Sequence, residues 1–397
     1  MTLNLSALTS DVQAMSEMLV NLDQARRSLL QIARERLDAY AKTPDELKRK
    51  AQLTRDKYPH WRGAYLAEDQ VLNARYPRPE IPSRVDIIAN DGSQVYIDPH
   101  GAAQYYALNI GHISYAYGTA QAPYTHTEPS LHCDDSEILD NGYLISNTVV
   151  NARRTIRELQ NLADLAAELS REDPPAALLS DGPLMWVQPG DTRQEHHDNL
   201  ATYLEDFGRL QATGVALGGY VDRSHSSGVV SLLHLASLDE VTKDRLAQND
   251  LVGLTDIRLF AKLLEPGERS ALFILESPTN REYKDKGHEI YHCYINVGRD
   301  PAQPPLIARL EMPSWTAQDP HRCNLLHAVV CQQCQIVGDY PYVLARAHEL
   351  ARISNDERHA LDEMVIATLR LQGLDLRPSR KALNKRWTGS KKRKHKL

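Results

Sequence analysis

Long apolar runs are missing from this 397-residue sequence, and so is an opening that passes from basic to apolar to small residues. Without them neither membrane insertion nor export is expected, and the cytoplasm is the expected location. Cysteine is scarce, five in all and an odd number, which argues against a disulfide framework and suits reduced thiols. No Gly-rich phosphate loop of the usual kind occurs, which weakens a nucleotide-handling reading, and no segment repeats. What is left is a soluble globular composition, 42% apolar and 25% charged, long enough for one large or two ordinary domains.

The formal net charge of -6 conceals a split between body and tail. Ten of the 46 Lys and Arg residues fall between Arg377 and Leu397, where there is no acid, leaving 36 basic against 52 acidic residues elsewhere. The body is thus near -16 and the tail near +10, the latter carrying one aromatic, Trp387. Residues 377–397 read as a disordered basic tail suited to phosphate backbones, or to a protein partner.

Residues 1–80 read as a helical arm, because Leu19, Leu22, Ala25, Leu29, Ile32, Ala33 and Leu37 form one apolar stripe on a charged background. The stripe must be covered, so the arm is a candidate dimer or partner contact. Pro77, Pro79 and Pro82 end it and mark a boundary. Residues 81–376 then alternate strands and helices, which describes an α/β fold with a mixed central sheet flanked by helices. Polar, aperiodic residues from Ala122 to Asn141 read as a long surface excursion.

Two apolar strands run into Asp-Gly, at Asp91-Gly92 and Asp181-Gly182. The bland reading of Asp91-Gly92 is a hairpin turn between Val85–Ala89 and Gln94–Ile97. The alternative is that both aspartates close strands and face a site beyond the sheet. Paired carboxylates suit Mn²⁺ or Mg²⁺, and two such ions are a common device for phosphodiester hydrolysis, which asks for a third acid. On the helix spanning Thr148–Leu169, Glu158 falls inside the edge of the apolar arc, while Asp164 and Glu168 fall opposite it. Glu158 therefore faces the sheet, as a site acid or as a boundary ion pair.

Other residues carry weaker chemical readings. Asp222 reads as a loop acid, Arg309 and Glu311 as a structural pair on one strand face, and Asp256 as an N-cap. Cys323, His327, Cys331 and Cys334 lie at helical intervals along one side, a poor arrangement for tetrahedral zinc. Tyr105, Tyr106, Tyr115, Tyr117 and Tyr124 read mostly as strand packing, with one or two available to stack on unpaired bases.

Taken in order from Ile81 to Leu371, the strand entering Asp91-Gly92-Ser93, a helix bearing Arg and Glu, "LLSDGPL", "GLTDIRLFAKLLEPGERSALF", "IARLEMPSW" and "GDYPYVLARAHELA" resemble the NurA nucleases. The resemblance implies an RNase H-like fold and a manganese- or magnesium-dependent DNA nuclease, working 5′ to 3′ and cutting single strands. It also implies a homodimer that docks on HerA, a hexameric ATPase that pumps DNA during end resection in double-strand break repair. Residue by residue, it makes Asp91, Glu158 and Asp181 the acids for two metal ions, with His348 near the metals as a further ligand or as the group that positions and protonates a reacting oxygen. The rival readings are a non-catalytic DNA-binding adaptor of the same ATPase and an ATP-handling member of the wider superfold.

Overall fold

The structure, a computed structural model, describes residues 4–169, 175–185 and 193–374; the basic tail and Trp387 lie outside them. Two compact units are present. One comprises the chain up to Pro82 with Gly182–Met185 and Ala216–Pro341; the other comprises Ser83–Asp181 with residues 193–215 and 342–374. The first eighty residues therefore do not stand alone as a unit. They are helical over Thr9–Tyr40 and Pro44–Lys57, then supply short strands at Ala64–Leu66 and Arg75–Tyr76.

In the first unit an antiparallel sheet runs in the order Ala64–Leu66, Phe273–Leu275, Ile290–Asn296, Ile307–Pro313, Ala216–Val221. The second half of the long N-terminal helix buries Ala33 and Leu37 in a core with Leu47, Leu232, Phe260 and Phe273. Helices Gly228–Ser237 and Lys243–Ala247 follow the strand Ala216–Val221. Asp256 is not the N-cap of its own helix, a place taken by Thr255. It is fully buried, accepting hydrogen bonds from the Val230 amide at 2.9 Å and the Tyr294 hydroxyl at 2.7 Å. It thus caps the first turn of Gly228–Ser237 from 26 residues downstream.

The second unit is built on β1 (Val85–Val95), β2 (Tyr106–Tyr117), β3 (Tyr124–His132) and, after helix α1 (Asn147–Glu168), β4 (Ala176–Asp181). The strand order is β4-β1-β2-β3, with β4 parallel to β1 and the other pairs antiparallel. This is the mixed, RNase H-like sheet that the sequence suggested. Helix α2 (Arg193–Thr213) follows, and α3 (Tyr342–Ala351) and α4 (Asn355–Leu371) complete the unit. Residues Val85, Ile87, Ile88 and Ala89 are buried because β1 has a strand on each side and a helix on each face.

The turn reading of Asp91-Gly92 is overturned, since β1 runs through it and stays paired with β2 from Val85 to Val95. Gly92 does not need a positive φ here. What needs it is α1: a Cβ on Gly92 would lie 2.5 Å from Glu158 Oε1 and 2.9 Å from Arg154 Cγ. Gly111, paired with Asp91 across the ladder, does the same for α3, since a Cβ there would lie 2.5 Å from the Ala351 amide nitrogen. Two neighbouring strands thus carry one glycine each, and each admits a helix.

Side chains from the sheet hold the end of α3. Asn109 Nδ2 donates to the carbonyls of Leu350 at 3.1 Å and Ala351 at 2.9 Å, and the Ser93 hydroxyl donates to Ala351. These are carbonyls that a helix C-terminus leaves without intrahelical partners. The expected excursion from Ala122 contains the edge strand β3, whose residues are mostly exposed and so show no apolar alternation to read.

Because the obstructing atom at Gly111 is helix backbone, Gly111→Ala must displace α3. We expect a loss of about 1–3 kcal/mol in urea unfolding, whereas an unchanged midpoint would mean that α3 yields freely.

Candidate active site

Register places the aspartates. In the parallel pair, Asn90 of β1 lies against Ser180 of β4, so the next residues, Asp91 and Asp181, fall side by side on adjacent strands. Successive strand residues face opposite ways, so Gly92 points to α1 while Asp91 points toward α3. There Asp91 Oδ2 lies 2.7 Å from His348 Nδ1, and its Oδ1 accepts the Gly92 amide at 2.8 Å. Asp91 is largely buried and His348 largely exposed, with 18% and 65% of their side chains accessible. His348 thus presents its imidazole to solvent from a fixed seat.

Glu158 approaches from α1. Its main-chain carbonyl accepts from Asn90 Nδ2, which also bonds Asn161 Oδ1 at 3.0 Å. Its Oε1 pairs with Arg154 Nε at 3.1 Å, one turn earlier on the helix, and Arg154 is steadied by Gln94 Oε1 at 3.0 Å. Burial pushes the Glu158 carboxyl up to about 8, and the charges of Asp91 and Asp181 push the same way against the pull of Arg154. The three acids are therefore close enough to repel one another.

The structure thus joins Asp91 to His348, sets Asp181 beside Asp91 and holds Glu158 within electrostatic reach of both aspartates. Among the described residues, no three His, Cys, Asp or Glu side chains are grouped tightly enough to hold an ion. The donor chemistry nevertheless suits a hard divalent cation: the acids are oxygen donors, and positive charge would relieve the repulsion that raises Glu158.

Sequence reasoning missed Arg154, Asn90 and Gly111. Arg154 had a signal, since a base four residues before an acid shares its helix face. Asn90 and Gly111 act through contacts between elements distant in sequence, which periodicity does not carry.

Most of the remaining candidates have structural roles. Arg309 and Glu311 form a buried ion pair, and Glu311 also accepts the Leu184 amide at 2.9 Å. Asp222 is exposed, 3.7 Å from Arg223. Cys323, His327, Cys331 and Cys334 are buried on one helix, where His327 Nε2 bonds the Gly267 carbonyl at 2.8 Å. Burial holds the Cys331 thiol up at about 12, so it stays protonated. Tyr105 and Tyr106 are buried, their hydroxyls bonded to Asp362 and Arg153. Tyr115 meets Tyr117 and Tyr342 edge-on, and Tyr124 is exposed.

The helices have no segment long and apolar enough to cross a membrane among the described residues. No curated protein matches the chain. Among solved structures, it is similar to the NurA nuclease from Sulfolobus solfataricus, 12% identical, over 84% of this chain and 97% of that one, with a TM-score of 0.48. It also matches the catalytic domain of human endonuclease V, again 12% identical, over 82% and 98% of the two chains, with a TM-score of 0.32. The NurA domain matches residues 85–353, more than half of the chain and a span containing Asp91, Glu158, Asp181 and His348. On that match, the chain belongs to the NurA family of nucleases.

Proposed function

We propose that this protein is a divalent-metal-dependent deoxyribonuclease whose acids are Asp91, Glu158 and Asp181, with His348 beside them. The observation that carries this reading is the convergence of three carboxylates at the junction of β1, β4 and α1, where burial first, and then the charges of Asp91 and Asp181, raise Glu158. Such a cluster destabilises a fold unless a cation is its purpose. Mn²⁺ or Mg²⁺, as a pair of ions, would supply charge that eases deprotonation of a water and offsets the charge developing on the phosphate.

The chain's own residues do the rest. Asp91 orients His348 through Nδ1, which leaves Nε2 to take or return a proton at the reacting oxygens. Arg154 offsets the charge of Glu158 and can offer its remaining donors to a phosphate. Strand polarity 5′ to 3′, cutting of single strands, and work with a HerA-type hexameric ATPase in end resection and double-strand break repair follow from family membership as part of this proposal. The basic tail would hold the DNA backbone without reading sequence.

The proposal includes a homodimer. Leu8, Val12, Met15, Leu19 and Leu22, spaced by fours and threes, are all exposed on the N-terminal helix, and that spacing suits a second helix of the same kind. Replacing Val12, Met15, Leu19 and Leu22 by Glu is expected to halve the mass measured by light scattering, and an unchanged dimer would assign the seam elsewhere.

The decisive assay is cleavage of end-labelled single- and double-stranded DNA in Mn²⁺, Mg²⁺ or EDTA, with and without the ATPase. Asp91→Asn should lower the rate by at least about a hundredfold while leaving DNA binding intact. Silence of the unaltered protein in every condition would favour the non-catalytic adaptor.

The raised Glu158 also sets a pH dependence. Between about pH 4.5, where the unfolded carboxyl loses its proton, and about pH 8, where the folded one does, the folded state binds the extra proton. Stability from this group therefore falls as pH rises through that window and levels off above it. Thermal unfolding in EDTA from pH 5 to 9 should show Glu158→Gln gaining on the unaltered protein toward the alkaline end; parallel curves would refute the shift.

A further inference from the structure

Most aromatic residues of the second unit are accounted for by packing, but the start of β3 is different. Tyr124 is 60% exposed, on an edge strand with no strand beyond it among the described residues. Its ring lies nearly parallel to that of His126, with centroids 6.3 Å apart and planes 13° apart. Two residues apart on one strand, the two side chains share a face. Beneath them sits His112, buried, its ring 5.4 Å from His126 and 6.1 Å from Tyr124. His112 is seated in turn by Asn161, at 3.4 Å. An exposed pair of rings is therefore carried on a fixed base.

The neighbourhood suits an anionic strand better than its sequence suggests. Glu128, next along the same face, gives one carboxylate oxygen to Arg157 at 2.8 Å and the other to Asn161 at 2.8 Å, so its charge is offset. Position matters as much. His126 is paired with His112, and His112 with Asn90, the residue before Asp91. Like Asn90, the ring pair therefore stands on the α1 face, the face from which Glu158 approaches, whereas Asp91 points to the opposite face.

We propose that Tyr124 and His126 form a stacking subsite for an unpaired base of single-stranded DNA, on the sheet face from which Glu158 approaches. The subsite would take any base, since stacking uses the π-face that all bases share, and it would exclude bases still paired in a duplex. The choice of DNA rests on the nuclease reading above; the stacking does not.

The test uses the full-length chain and a short single-stranded oligonucleotide carrying 2-aminopurine, titrated in EDTA so that nothing is cut. Binding should quench the fluorescence. Tyr124→Ala should abolish the quench and weaken single-strand affinity about tenfold, Tyr124→Phe should restore both, and affinity for blunt duplex should not change. His126→Ala should give a smaller loss of the same kind. Single-strand affinity and quench equal in Tyr124→Ala and the unaltered protein would overturn the subsite, as would an equal loss on blunt duplex. Both rings are exposed, so the variants should fold, which unfolding midpoints would check. A Tyr124-dependent quench in a protein that never cuts DNA would retain the subsite and reject the nuclease. Metal-dependent cutting with no such quench would do the reverse.

Discussion

Two missing side chains govern the candidate site. Without a Cβ at Gly92, α1 comes close enough for Glu158 and Arg154 to lie against β1; without one at Gly111, the end of α3 comes down on β2. The helices approach opposite faces, so the acid from α1 and the imidazole from α3 meet the same stretch of strand from two sides. Hydrogen bonds from Asn90, Ser93 and Asn109 then fix both helices by their main-chain carbonyls. Such bonds set helix position rather than side-chain position, leaving the reactive side chains to adjust locally.

The electrostatics follow from that packing. Glu158 is costly where it lies, because burial and two nearby aspartates both oppose its charge. Arg154 offsets part of the cost from one turn away. Buried carboxylates that serve only stability are usually fully paired, as Glu311 is with Arg309 and the Leu184 amide. Glu158 and Glu311, both acids facing a core, thus differ in how fully their charge is met: Glu311 has a guanidinium and a main-chain amide, whereas Glu158 has Arg154 against two nearby aspartates.

Much of this was legible in the sequence. The helical face of Glu158, the strand ending at Asp181 and the mixed sheet came from periodicity and punctuation, which local sequence carries, whereas the strand expected to close at Asp91 runs on to Val95. The structural pairing of Arg309 and Glu311 was legible for the same reason, since residues two apart share a strand face. Asp91-Gly92 misled because the pair favours turns locally, whereas a helix 60 residues away sets its use of glycine. Edge strand β3 was missed because an exposed strand paired on one side needs no apolar alternation. Asp256 was misread because its hydrogen-bonding partners lie on other elements. Long-range contacts of these kinds leave no periodic trace.

Asp91 sits in the middle of an eleven-residue strand, paired with Gly111 of β2 on one side, while the pairing with β4 on the other side ends one residue earlier, at Asn90; reactive side chains more often stand on loops or element ends. Fraying of an element end does not release it: β1 continues to Val95, and its amides paired with β2 are expected to exchange only when that pairing opens. The Asp91 carboxylate therefore lasts as long as the β1–β2 pairing that carries it.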